Sequence, residues 1–303
     1  MSVLTSAQER LGVSREPGSR LRKWRPQPSV GIGLLLSSPL LLVMALLVFF
    51  PLANLVFDSL SKGEGVANYS AFFGSRAATK ALVTTFRDSA IITILAVLLG
   101  AVLAWSIRVQ PSPRVRMMLW IATLMPFWMG VVIKNYAFTI ILQRNGIVNE
   151  LLQLLPFVDE PLRLLYSSPA VVVGILYSLM PYAVLSLYVT FITIDPDLVR
   201  AAEGLGASRY RALISIVAPL ASPGLMATAA IIFVFSLGFY VTPLLLGGPQ
   251  SAFVATLINR QIFSMFDYPG AAASGTILLA AALVTLASVW LLVGRERLER
   301  AIV

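Results

Sequence analysis

Six stretches of this chain are apolar for long enough to cross a membrane. A hydrocarbon core of ~30 Å takes about 20 helical residues. The stretches lie near residues 32–56, 89–107, 117–142, 169–194, 224–246 and 270–293. A backbone in lipid has no water to bond with, so only helices and closed barrels can span it. The runs lack the apolar/polar alternation of barrel strands and are too long to be single strands. Hydrophobic residues make up 58% of the chain and charged residues 12%, which excludes a water-soluble globule. The sequence therefore predicts an all-α polytopic membrane protein with six transmembrane helices. Pro126 and Pro181 lie inside the third and fourth runs and predict kinks there, because each removes a backbone donor and crowds the preceding turn.

Charge then sets the orientation. Segments 1–31, 108–116, 194–222 and 294–303 hold 15 of the 23 Lys and Arg residues, and loops 57–88, 143–168 and 247–269 hold 7. Positive residues gather on the cytoplasmic side, so both termini and the 194–222 loop are placed there. Residues 1–31 read as a basic cytoplasmic tail (Arg20, Arg22, Lys23, Arg25) that orients the first span, 32–56. Its apolar core is too long for a cleaved signal peptide. Residues 57–80 read as a periplasmic loop, 81–293 as the main transmembrane domain and 294–303 as a cytoplasmic tail. Segment 143–168 has room for an interfacial helix carrying Val148, Leu151, Leu152 and Leu155.

Several function classes drop out. There is no cysteine and no histidine. That removes disulfides, thiolate chemistry, imidazole metal sites and the commonest general base. Intramembrane proteases need histidine or paired aspartates within the spans, and the predicted spans hold neither. No catalytic residue and no metal site is expected. No Gly-x-x-x-x-Gly-Lys-Ser/Thr run is present, so ATP is not bound in that way. The net charge of +9 follows from membrane orientation and needs no nucleic-acid partner. A self-contained secondary transporter or channel is a rival reading, but it would normally carry intramembrane ionisable groups for coupling.

The 195–223 loop is richer than a connector. Asp195 suits an N-cap, Pro196 the first helical position, and Asp197 the positive end of the helix dipole. Leu198, Ala201, Ala202 and Leu205 fall at i, i+3, i+4 and i+7, one apolar face. Gly204 and Gly206 offer ways to end this helix. Ser208 can cap a second helix with Tyr210, Leu213, Ile214 and Val217 on its apolar face, to be stopped by Pro219 and Pro223. The first helix is too short to persist alone, and its small residues allow close approach of another backbone. That suits docking in a partner's groove, although a helix-turn-helix resting on lipid headgroups has the same pattern.

The run Arg200-Ala201-Ala202-Glu203-Gly204-Leu205-Gly206-Ala207-Ser208, followed by Leu213, Pro219 and Pro223, resembles the signature loop of binding-protein-dependent ABC importer permeases. Gly206 and Pro219 match the family spacing, while Arg200 stands where the family usually has Glu and Ala218 where it usually has Leu. A narrower resemblance is to the spermidine/putrescine permease branch. It rests on Pro126-Phe127-Trp128, Lys134-Asn135-Tyr136-Ala137-Phe138, Asn145-Gly146-Ile147-Val148-Asn149, Thr242-Pro243, Leu246-Gly247-Gly248-Pro249 and Tyr268-Pro269-Gly270-Ala271-Ala272. Together these cover roughly 80–292.

The resemblance implies a type I importer permease fold in the bacterial inner membrane. Asp197, Arg200, Ala201, Ala202, Glu203, Gly206, Ala207, Ser208 and Arg209 would form the coupling surface. Two cytoplasmic ATPase subunits would bind ATP and Mg²⁺, leaving this chain without a cofactor. A second permease would complete the pore, and a periplasmic binding protein would deliver the solute. A polyamine is the implied solute; amino acid-like or opine-like solutes and iron are alternatives within the family.

The pathway is less legible. Lys134 is the one charge inside a predicted span and lies ~26 Å along it from Met117, where a lysine can snorkel outward or find a structural partner. With no acidic residue in mid-membrane, a cationic solute would meet aromatic faces and neutral acceptors, or carboxylates supplied by the second permease. The candidates are Trp128, Asn135, Tyr136, Tyr177, Tyr182 and Tyr240, each of which could equally be a packing or anchoring residue. Ala96, Gly100 and Ala104, and Gly270 with Ser274, repeat at the spacing of helix-packing faces, toward this chain or another.

Overall fold

The computed structural model describes residues 30–61, 65–156 and 160–293. The basic tail 1–29 and the C-terminal segment 294–303 lie outside the described residues. The chain divides into two units, residues 1–52 and 53–303. The described part of the first unit belongs to helix α1 (Val30–Ser61). This part is apolar on every side, not along one stripe, as suits a helix surrounded by lipid.

The second unit holds the end of α1 and the other helices: α2 (Val66–Gly74), α3 (Arg76–Val109), α4 (Pro113–Trp128), α5 (Val131–Leu142), α6 (Ile147–Leu152), α7 (Ser168–Ile192), α8 (Pro196–Gly204), α9 (Arg209–Ala212), α10 (Ala218–Leu237), α11 (Val241–Leu246), α12 (Val254–Arg260) and α13 (Tyr268–Val293). Among the described residues, five helical segments are long and apolar enough to cross a membrane, and α4 with the segment after it, bent by 105°, makes a sixth if the pair is one broken span.

Three helices make the centre. α3, α7 and α10 bury Ile92 and Ala96, Val171, Ile175 and Leu179, and Ile232 in one apolar cluster. A second cluster joins Ala104 and Ile107 to Val184, Leu187 and Phe191, and to Val217 and Ala221. Small residues bring α3 onto α7. A Cβ on Gly100 would stand 3.2 Å from the Ala183 Cβ and 3.3 Å from Leu187 Cδ1, so the Ala96–Gly100–Ala104 face meets its own chain. Buried hydroxyls donate back to their own helices, as Thr93 does to the Ser89 carbonyl at 2.7 Å. Ser186 and Thr228 also bond across α7 and α10 at 2.7 Å, a contact worth about 0.6 kcal/mol in a membrane.

Four expectations change. The second span begins far earlier than 89, because α3 runs from Arg76. Its extra turns carry polar groups with partners: Thr85 Oγ1 accepts the Val254 N–H at 2.9 Å, and the buried Asp88 carboxylate takes Arg87 at 2.8 Å and the Ser168 hydroxyl at 2.5 Å. The third span is broken, not kinked: extended residues Met129 and Gly130 follow Pro126 and separate α4 from α5. The fifth span does not run to Leu246 either; α10 ends at Leu237, and α11 starts after residues 238–240. Pro181 sits inside an unbroken α7. The interfacial segment shrinks to the short α6, and the buried Asn149 side chain ties it down by bonding Gln143 O and both backbone groups of Leu162.

Candidate functional site

Two regions have geometry beyond packing. The first is the loop between α7 and α10. Asp195 caps α8 by accepting the Asp197 N–H at 2.9 Å, with Pro196 at the first helical turn. At its end, Gly206 N–H donates to Glu203 O and Ala207 N–H to Ala202 O, each at 3.0 Å. This is a Schellman turn, with Gly206 in the left-handed region at φ 89°. A Cβ on Gly206 would meet nothing within 4 Å, so the backbone angle alone requires glycine in this chain. Ser208 Oγ then accepts the Arg211 N–H at 3.3 Å, next to Arg209 at the head of α9.

The second loop helix is not stopped by Pro219 and Pro223. It passes through a π-helical turn, Leu213–Val217, straight into α10. Ser222 Oγ donates to Pro219 O at 2.8 Å, where the missing Pro223 N–H would have bonded. The second loop helix and the fifth span are therefore one rod.

The apolar face expected on α8 is divided. Ala202, Glu203 and Val199 turn partly inward, with Val199 against the second cluster. Leu198, Ala201 and Leu205 are exposed, Leu205 at 91%. The Arg200–Asp197 ion pair at 2.8 Å is also exposed. The junction of α7 and α8 has a support that the sequence reading missed. Arg108, at the end of α3, donates to the Ile194 carbonyl and lies 5.1 Å from the Trp105 ring centroid. Trp105 in turn meets Phe191 edge-on at 5.5 Å. A cation at the end of a span is visible in the sequence, but the carbonyl it holds is not.

The second region is a cavity of about 560 Å³ between the break in span three and the end of span five. Its walls include Val131 and Lys134 of α5, Ser178 and Tyr182 of α7, Phe235 of α10, and Phe239 and Tyr240 between α10 and α11. Irregular backbone at membrane depth is tolerated where it is buried in protein or lines a cavity.

Of the six pathway candidates, the structure brings Tyr182 and Tyr240 together here. Tyr182 also meets Phe127 and Phe235 edge-on. Tyr177 lies outside the lining and meets Phe138 edge-on, its hydroxyl 3.5 Å from Met129 Sδ at the break. Asn135 is fully buried and donates to Val131 O at 2.8 Å. Trp128 is 83% exposed and lines a separate groove along α4, and Tyr136 is exposed. Lys134 does not snorkel out: only 7% of it is exposed. Ser178, Phe235 and Phe239 carry no sequence signal of their own; glycines at 130 and 238 inside apolar runs were the available clue.

The comparisons with known proteins decide the family. Residues 22–302 match the family model described as "Binding-protein-dependent transport system inner membrane component". The chain belongs to this family. It is 32% identical to the spermidine/putrescine transport system permease protein PotB of Escherichia coli K12 over 206 residues, covering 68% of this chain and 74% of that protein. It is 27% identical to the inner membrane ABC transporter permease protein YdcU of the same strain, covering 81% and 84%. The E. coli K12 sulfate transport system permease protein CysT is 26% identical, over 82% and 88%. A chain of a bacterial alginate ABC transporter, solved in complex with a periplasmic protein bound to alginate pentasaccharide, shares the fold at TM-score 0.71. The two are 20% identical over 88% of this chain and 95% of that one. This importer permease is thus a multi-pass inner-membrane component, and the resemblance read from loop 195–223 holds at family level.

Proposed function

We propose that this permease forms one half of the pore of an ATP-driven importer for a small amine-bearing solute of the polyamine class. A periplasmic binding protein delivers the solute, a second permease completes the pore, and two separate cytoplasmic ATPase subunits bind ATP and Mg²⁺. Both termini and the α8–α9 loop face the cytoplasm, in keeping with the bias of positive charge.

The aromatic wall of the cavity carries the substrate reading. Tyr182, Phe235, Phe239 and Tyr240 offer π-faces to an ammonium between the break in span three and the end of span five. The names of the PotB relatives point to the same class. The exposed Leu198–Ala201–Leu205 face carries the coupling reading: it is apolar, unpartnered within the described residues, and held by a rigid turn next to the α10 rod. An ATPase groove closing on it would move α8, α9 and α10 together, provided its contacts differ between the open and closed states.

Titration calorimetry of the cognate binding protein tests the solute. Spermidine or putrescine should bind in preference to sulfate, and a preference for an inorganic anion or a metal would overturn the assignment. A second reading, an amino acid-like or opine-like solute, is favoured by one observation: Lys134 shares the cavity with the aromatic groups.

A further inference from the structure

Two ionisable side chains are buried among the described residues, and they are provided for differently. Asp88 has Arg87 and Ser168. The Lys134 ammonium has no hydrogen bond or ion pair among the described residues, yet only 7% of the residue is exposed, and it lines the cavity. Its surroundings add to the problem. Lys134 lies in the first turn of α5, a helix of 12 residues capped by Gly130 with no side-chain acceptor. The first helical bond is Lys134 N–H to Gly130 O at 3.1 Å. The N–H groups of Val131, Val132 and Ile133 precede it and have no acceptor within the helix. The positive end of a helix dipole, about half an elementary charge, therefore stands beside the ammonium of a largely buried lysine, and Val131 and Lys134 face the same space. A buried cation at this end of a helix is doubly unfavourable unless an anion completes it.

We infer that the N-terminus of α5 and Lys134 form a carboxylate-binding site opening on the cavity. One ammonium and a helix end match a single negative charge, and the site lacks the arginine fork that favours a phosphate dianion. The carboxylate has two possible sources, the transported solute or an acidic side chain of the subunit that closes the pore. The inference rests on the cavity belonging to the transport path. If the solute is the source, it is of the amino acid-like class, with an amine for the aromatic wall and a carboxylate for Lys134; if the subunit is the source, its carboxylate neutralises Lys134 and leaves the aromatic wall to a polyamine.

The test uses the assembled transporter in nanodiscs, with amine acetylation read at residue 134 by mass spectrometry. Acetate, 4-aminobutyrate and butylamine are the probes, and uptake is measured for the wild type, Lys134→Met and Lys134→Arg. With a solute source, acetate and 4-aminobutyrate slow acetylation about tenfold near ten times their dissociation constants, by mass action, and butylamine does not. With a subunit source, Lys134 is unreactive without any probe, Lys134→Met abolishes uptake and Lys134→Arg retains it. A Lys134 that reacts equally under all conditions overturns the site, as does an unreactive Lys134 whose replacement by Met leaves uptake intact. Calorimetry on the binding protein does not involve Lys134, so failure of the amine reading shows there and failure of the anion site shows here.

Discussion

The α8 loop and the membrane cavity reach a defined geometry by opposite routes. Nothing in α8 is buried, and its shape comes from an N-cap at Asp195, a Schellman turn at Gly206 and the hold of Arg108 on Ile194. The cavity is shaped by packing, with the broken third span and the end of the fifth held against α7 and aromatic rings meeting edge to face. The loop is thus a local object whose residues act through backbone angles, whereas the cavity is a tertiary object whose residues act through neighbours distant in sequence. Substitutions should separate the two.

The largest effect is expected at Gly206. Gly206→Val forces a β-branched residue to φ 89°, at a cost of at least about 1–2 kcal/mol in the turn. ATP hydrolysis in the assembled transporter should then no longer respond to the loaded binding protein, and uptake should be lost. Gly206→Asn sharpens the point, because asparagine tolerates the left-handed region. If the angle is the whole requirement, Asn restores most uptake; if a partner also approaches the backbone closely, it does not.

Arg108→Gln comes next. It removes the cation from the Trp105 ring and weakens the hold on Ile194, a charge-assisted bond of about 1.5–3 kcal/mol. Assembly should persist while the ratio of ATP hydrolysed to solute moved rises several-fold. An unchanged ratio would mean that the α7–α8 junction does not need this support.

In the cavity, Tyr182→Ala should raise the KM for an amine solute by about five- to thirty-fold, equivalent to a cation–π contact of about 1–2 kcal/mol, while Tyr182→Phe keeps the ring and should change little. Equal losses in both variants would assign the role to the hydroxyl. The smallest effect is expected at Arg200. Its ion pair with Asp197 is exposed on both sides, and such pairs contribute about 0–1 kcal/mol. Arg200→Ala should leave thermal stability within a degree or two; any strong loss of uptake at normal stability would place Arg200 in the contact with the ATPase.

Much of the loop was legible because its determinants are close in sequence. Asp195, Pro196, Gly206 and Ser208 act on groups one to five residues away, so their types and spacing carry the turn. Pro219 misled because its tolerance depends on the π-turn before it, and Pro223 because it depends on the Ser222 hydroxyl. In the cavity, aromatic residues could be proposed but not sorted. Tyr136 and Tyr182 look alike in a linear chain, yet one is exposed and the other meets Phe127 and Phe235.

The sequence by itself determined that the chain is helical and membrane-embedded, how its charges orient it, and that 195–208 holds a capped turn. These follow from apolar length, charge placement and short-range hydrogen bonding, which require no knowledge of distant contacts. Only the tertiary structure decided that the break in span three and the end of span five meet at one cavity, that Gly100 faces Ala183, that Arg108 holds Ile194, and that Lys134 is largely buried with no partner among the described residues. Each of these depends on which helix lies beside which, and in lipid that choice comes from close packing and hydrogen bonding between helices, because apolarity alone no longer distinguishes one neighbour from another.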